Sequence, residues 1–466
     1  MAPLVAMAVA LGGQVPAATT AAATTVTTAT AAPAGQQSGQ QVEQDVDFRS
    51  GDVTLHGTVT EAAGGTGPRP GIVLVHGAGP EKRAGYRAEA EAMARAGFVV
   101  LGYDKRTTGY SMTRRSYSQL ADDALAGVRT LAQRTDVDPH RIGLWGFSEG
   151  GWVAPLAASR SGQVAYVVVV GASGLPPARQ QAWHLDNRLR HEGASGSLLE
   201  SVSVTGTRLL DDAGLFPEAH YDPVPVLEHL RQPVLALWGN DKQVPPAESA
   251  AIIGDALHRG GNDDVTLRFF PQADHKLHVS ADGFTRGEQL TPGYVDTVAA
   301  WVAGQGHRVN DPLPGQDRRS RALAAVPAPE GSVAQAAAFL LMTLVFAGYL
   351  LSGLVRRLRR RPAAPGAGAA RWLAGSGLAA TLGFLGYFLF VTTTLATGPQ
   401  LGGRPVVWSV LQLLAVCAVV ATGVTAVRAW RGRAPAPAGA RVRIGALLVA
   451  GAMFVPWALF WGLLLP

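Results

Sequence analysis

Arg141-Ile142-Gly143-Leu144-Trp145-Gly146-Phe147-Ser148-Glu149-Gly150-Gly151-Trp152 is the stretch on which the reading turns. Arg141–Gly146 is a short apolar run of strand character. Gly151–Ser159 has helical composition, and Gly146-x-Ser148-x-Gly150 lies between them. A strand that reverses directly into a helix needs a sharp turn, and flanking glycines remove the side chains that would clash there. Such a turn leaves the Ser148 hydroxyl exposed at a helix N-terminus, so Ser148 is a candidate nucleophile. The five-residue string alone is weak, and its strand–turn–helix setting carries the weight.

Working outward, residues 42–304 alternate strand and helix. Strands are expected at 53–59, 71–75, 98–103, 141–146, 164–170, 233–237 and 265–270. Helices are expected at 86–96, 119–134, 151–159, 247–258 and 292–303. Nearly unbroken Val/Ile/Leu strands separated by helices predict an α/β fold with a mainly parallel sheet covered on both faces. Residues of about 176–230 break that rhythm and read as an inserted helical cap.

Serine needs a base, and the base an orienting acid. With the serine first in chain order, the acid and the histidine are expected after later strands. Asp241 follows 233–237 in Trp238-Gly239-Asn240-Asp241-Lys242-Gln243-Val244-Pro245, and His275 follows 265–270 in Pro271-Gln272-Ala273-Asp274-His275. His278 is a rival base, and Asp274 is better read as a turn or cap residue. Oxyanion donors are expected at the backbone N–H of Glu149 and of Ala78 in His76-Gly77-Ala78-Gly79, with Gly79 the alternative to Ala78. The charges of Tyr103-Asp104-Lys105-Arg106 read as structural ion pairs, and His76 as a structural side chain. No phosphate-binding glycine loop or clustered metal-ligand pattern is present, so no cofactor and no metal is expected.

Composition divides the chain. From Gly331 onward there is no Asp, Glu, Lys or His and there are 12 arginines, which leaves 28 basic against 34 acidic residues before it. The net charge of +6 therefore reflects arginines flanking apolar spans, not a nucleic-acid surface, and no nucleic-acid partner is expected. Four spans near 333–355, 372–396, 406–427 and 444–465 each suffice to cross about 30 Å of hydrocarbon. They predict an all-α membrane domain (333–466) of four transmembrane helices, joined by a linker at 305–332. Arginines crowd the first and third loops between spans, whereas the second holds only Arg404. The positive-inside rule puts the Arg-rich loops in the cytoplasm and predicts a multi-pass plasma-membrane protein with its 42–304 domain extracytoplasmic. Residues 1–41 read as a signal peptide followed by a disordered Ala/Thr-rich segment. The lone cysteine, Cys417, lies in an apolar span and cannot form an intramolecular disulfide.

Over residues 48–304 the motifs His76-Gly77-Ala78-Gly79-Pro80, Tyr103-Asp104-Lys105-Arg106, Gly146-Phe147-Ser148-Glu149-Gly150-Gly151, Asp241 before Val244-Pro245-Pro246, and Asp274-His275 resemble those of the bacterial α/β-hydrolase superfamily. The resemblance is to its dienelactone-hydrolase and prolyl-oligopeptidase-like serine esterases. It implies cofactor-free acyl transfer to water, on a small-molecule ester or a short peptide. A serine peptidase is one alternative, with Asp186 as a candidate amine-binding carboxylate. A catalytically retired membrane sensor or scaffold is another.

Overall fold

The buried β-branched runs set the architecture. In the computed structural model, which describes residues 41–305, 309–360, 367–431 and 438–466, eight strands form one sheet in the order β1-β2-β4-β3-β5-β6-β7-β8. They are β1 (Gln41–Ser50), β2 (Val53–Ala62), β3 (Arg69–Val75), β4 (Val99–Tyr103), β5 (Val137–Phe147), β6 (Tyr166–Val170), β7 (Val234–Gly239) and β8 (Val265–Phe270). β1 and β2 pair antiparallel, as do β2 and β4; every other pairing is parallel. The expected signal peptide and the Ala/Thr-rich segment as far as residue 40 lie outside the described residues.

Interior strands such as β4 (VVLGY) and β6 (YVVVV) are buried along their whole length, because helices cover both faces. On one face α1 (Arg87–Arg95) and α9 (Tyr294–Val302) pack against Ile72, Trp145 and Leu235. On the other, α2 (Tyr117–Ala132), α3 (Gly150–Ser159), α7 (Val224–His229) and α8 (Pro246–Arg259) pack against Val73, Leu144 and Trp238. The indole N–H of Trp145 bonds Tyr294 Oη at 2.7 Å, and that of Trp238 bonds the Ala172 carbonyl at 2.9 Å, so both large side chains are buried with their polar atom satisfied.

β1 was not expected from sequence. It is an edge strand whose charged residues are exposed, and only Val42, Val46 and Phe48 carry a faint period-2 signal. The opposite edge is covered differently: Asp311 donates its N–H to the Leu267 carbonyl and accepts the Phe269 N–H, both at 2.9 Å. Part of the expected 305–332 linker therefore belongs to the sheet unit, whose described residues fall within 41–180 and 217–320.

The second compact unit contains 181–216 and 321–466. Its helices α10 (Ser332–Leu358), α11 (Ala367–Thr394), α12 (Val406–Arg431) and α13 (Ala438–Phe460) are long and apolar enough to cross a membrane. They pack closely where small residues meet large ones, with Gly377 against the Phe346 ring, Gly383 against Leu411 and Gly451 against Thr422.

Of the insertion expected at 176–230, α7 packs on α3 and α8 of the sheet unit, whereas 181–216 packs with the long helices. That stretch holds most of α4 (Pro177–His191), then α5 (Ser197–Leu199), a π-helical turn (Glu200–Gly206) and α6 (Thr207–Asp212). Leu189, Leu198, Leu199 and Val202 share one apolar cluster with Phe384, Phe388 and Trp461. Ser201 Oγ donates to the Trp461 carbonyl at 2.6 Å and Thr397 Oγ1 to the Glu192 carbonyl at 2.8 Å.

Candidate active site

The carboxyl ends of β3, β5, β7 and β8 carry the expected site residues, and strand register brings them to one edge of the sheet. Val75 lies opposite Gly146, Phe147 opposite Val170, and Gly239 opposite Phe270. The order in which strands are added switches sides at β3, which pairs with both β4 and β5, and ligand sites in such sheets lie beyond the strand ends at a switch of this kind.

Ser148 occupies the turn between β5 and α3 with φ of +53°, a left-handed conformation that is costly for a residue with a side chain. The glycines around it are required by close approach. A Cβ on Gly146 would strike the Gly150 carbonyl, and one on Gly150 would strike the Val75 carbonyl. The turn is further held by Ser148 N–H donating to the Val170 carbonyl at 2.9 Å and by Gly151 N–H donating to the Ser148 carbonyl at 2.8 Å.

Asp241 is buried after β7, and both of its oxygens are occupied. Oδ1 accepts the N–H groups of Gln243 (2.8 Å) and Val244 (3.0 Å), and Oδ2 lies 2.6 Å from His275 Nδ1. The Asp-x-x-Val spacing is thus a turn that aims one carboxylate oxygen at the imidazole. His275 is buried against Gly171, the residue after β6, and its ring centroid is 5.0 Å from that of Phe147. Its Nε2 has no hydrogen-bond partner among the described residues. Ser148 Oγ is not among its hydrogen-bond partners.

The rivals have other employment. His278 lies 3.3 Å from Glu89 and 3.1 Å from the Gly287 carbonyl. Asp274 accepts the N–H groups of Lys276 and His278 at 2.9 Å and the Arg286 guanidinium at 2.5 Å, which makes it the organiser of its own loop. Asp186 is paired with Arg190 at 2.8 Å on α4.

The loop after β3 separates the two oxyanion candidates. Gly77 N–H donates to Tyr86 Oη (2.8 Å) and Gly79 N–H to Tyr110 Oη (2.9 Å). The N–H groups of Ala78 and of Glu149 have no acceptor among the described residues. Gly79, the alternative to Ala78, is thereby occupied.

Lys105 and Arg106 form structural ion pairs as expected, but sequence reasoning did not foresee their partners or the buried cluster they make under this loop. Glu149 Oε1 receives Lys105 Nζ at 2.8 Å and Tyr110 Oη at 3.0 Å, and Oε2 receives Arg115 at 2.9 Å. Burial works most strongly against the Lys105 charge, but Glu149 and Tyr110 together outweigh it and raise the ammonium pKa. Arg106 forms a separate buried fork with Asp123 at 2.5 and 2.6 Å. The only advance signal was charge following a fully apolar strand.

His76 is buried edge-on between Tyr86 and Tyr103, with ring centroids 5.0 and 4.8 Å away. Burial, then the Lys105 charge, pushes its pKa from 6.5 down to about 3. The folded imidazole therefore stays neutral while the unfolded chain protonates it, so stability is constant above about pH 6.5 and falls as pH drops toward 3. The slope is at most about 1.4 kcal/mol per pH unit. We expect the thermal midpoint of the detergent-solubilised chain to fall between pH 6.5 and 5, above the range where carboxylates titrate, and His76→Gln to flatten that fall. An unchanged slope would place the acid sensitivity elsewhere.

Among the described residues, no three His, Cys, Asp or Glu side chains gather as a metal site requires.

A model of the prolyl oligopeptidase family matches residues 84–303. Esterase EstD of Thermotoga maritima is 26% identical over 289 residues, covering 55% of this chain and 68% of that protein. Quorum-quenching protein AidA of Acinetobacter baumannii is 33% identical over 139 residues, 28% of this chain and 43% of AidA. Among solved structures, the acylaminoacyl peptidase of Pyrococcus horikoshii superposes with a TM-score of 0.37 at 19% identity, over 50% of this chain and 38% of its own. Sheet order and these relatives define a serine hydrolase. The chain has the α/β-hydrolase fold, is similar over residues 84–303 to the prolyl oligopeptidase family, and carries four long apolar helices besides.

Proposed function

We propose that the protein hydrolyses carboxylic esters through an acyl-enzyme on Ser148, on the extracytoplasmic face of the plasma membrane. One observation supports the site above all. His275 is held through Nδ1 by Asp241 at 2.6 Å, while its Nε2 has no partner among the described residues at the edge where Ser148 is presented. Nε2 takes the Ser148 proton as Oγ attacks the carbonyl carbon, and Asp241 stabilises the imidazolium. The oxyanion is received by the N–H groups of Ala78 and Glu149. The imidazolium then protonates the leaving alcohol, and water, deprotonated by His275, releases the acid and restores Ser148.

The esterase relative favours an ester, and the prolyl oligopeptidase match supports a second reading as a peptidase acting on short amides. Rapid-mixing kinetics on nitrophenyl esters and aminoacyl nitroanilides separate the two. We expect a nitrophenol burst equal to the enzyme concentration with esters, and kcat/KM at least about 100-fold lower with the anilides, a gap of roughly 2.7 kcal/mol in barrier. Faster cleavage of the anilides would overturn the ester assignment.

Orientation rests on the arginine asymmetry. Arg356 and Arg357 close α10 and Arg359 and Arg360 follow it, and Arg428 and Arg431 close α12, whereas Arg404 alone lies between α11 and α12. In a Cys417→Ser background, Arg404→Cys should react with a membrane-impermeant maleimide on intact cells and Arg360→Cys should not. The reverse pattern would invert the topology.

A further inference from the structure

Lys105 lies two residues beyond β4 and is buried, yet nothing in the proposed reaction uses it. Its ammonium has three donors and three acceptors: Glu149 Oε1 at 2.8 Å, Tyr110 Oη at 3.1 Å and the Gly77 carbonyl. The third decides its role. The Gly77 carbonyl and the Ala78 N–H are opposite ends of one trans peptide plane, so a cation holding the oxygen fixes where the N–H points. It also polarises that peptide and makes the N–H a stronger donor.

The remaining contacts tie the same peptide to the second donor. Tyr110 Oη takes the Gly79 N–H at 2.9 Å and donates to Glu149 at 3.0 Å, and Glu149 is the residue whose own N–H faces the site. Two segments 71 positions apart in sequence, Ala78 and Glu149, are thereby locked through one ammonium, one phenol and one carboxylate. Arg115, at 2.9 Å from the same carboxylate, adds a second cation that holds Glu149 in place.

We propose that Lys105, assisted by Tyr110, is a positioning residue of the oxyanion hole, acting on the Ala78 N–H through the Gly77–Ala78 peptide and on the Glu149 N–H through the Glu149 carboxylate. The inference rests on the oxyanion reading given under the proposed function. It goes beyond that reading by assigning a role to groups that never touch substrate.

The test uses the full chain in detergent with nitrophenyl acetate as substrate and a trifluoromethyl ketone as transition-state analogue. Lys105→Met should lower kcat roughly 10- to 100-fold, somewhat less than deleting a donor outright. KM should stay within about twofold, and analogue affinity should fall in step with kcat/KM. Tyr110→Phe, which removes one hydroxyl, should show the same pattern at roughly 3- to 10-fold, and it decides the matter where Lys105→Met does not fold. Lys105→Arg should recover part of the loss. Wild-type kcat in the variants, or reduced kcat with undiminished analogue affinity in the folded protein, would overturn the assignment. Ser148→Ala measured alongside keeps the two readings apart. If it is inactive while Lys105→Met runs at the wild-type rate, only the Lys105 role fails; if it is active, the site itself is wrongly read.

Discussion

Ser148→Ala is expected to lower kcat on nitrophenyl esters by a factor on the order of 10⁵ to 10⁶ while leaving the thermal midpoint within a few degrees of wild type. The hydroxyl is the only atom removed. Ser148 Oγ makes no hydrogen bond that the fold depends on, and the turn is held by backbone bonds to Val170 and Gly151 that alanine preserves. A positive φ of 53° is as costly for alanine as for serine, so the substitution adds no new backbone strain. The measurement is turnover in detergent beside a melting curve. Retained turnover would remove Ser148 from the mechanism.

Asp241→Asn is the second large effect, with kcat expected to fall about 10⁴-fold at little cost in stability. The reason lies in which oxygen does what. Oδ1 accepts two backbone N–H groups, from Gln243 and Val244, so the amide oxygen of asparagine must stay there. The amide NH₂ is then forced toward His275 Nδ1, where a carboxylate oxygen stood at 2.6 Å. A donor in that position leaves Nδ1 as acceptor and puts the proton on Nε2, the wrong tautomer for a base. Melting and turnover together check this. A mild rate loss would mean that Asp241 only packs the imidazole.

The elements that sequence reading found are those whose physics is local. β3, β4, β6 and β7 are continuous apolar runs because both faces of a parallel sheet are covered, and the Ser148 turn announces itself through glycines that close backbone approach requires. Asp241 and His275 were legible because chain order and position after a strand are imposed by topology. β1 was missed because an exposed edge strand keeps its charges and loses the apolar signature. The packing of 181–216 was hidden for another reason: Glu192 meets Thr397 and Ser201 meets Trp461 across more than 200 residues of chain. The partners that Lys105 finds in Tyr110 and Glu149, and Glu149 in Arg115, were likewise invisible. Tyr110 and Arg115 sit in a loop without periodicity, and a lysine just past a strand looks the same whether it holds a peptide or faces water.

The four long helices pack through small residues. Their Gly377–Phe346, Gly383–Leu411 and Gly451–Thr422 contacts are of the kind that packs helices where no water drives association.

The central claim, that Ser148 is activated by His275 under the direction of Asp241, is tested most directly by exposing membranes containing the full chain to a fluorophosphonate and locating the adduct by peptide mass spectrometry. The account predicts one phosphonyl group per chain, on Ser148, formed rapidly in the wild type, far more slowly in His275→Ala, and absent in Ser148→Ala. Equal labelling in His275→Ala, or an adduct on any other residue, would contradict it.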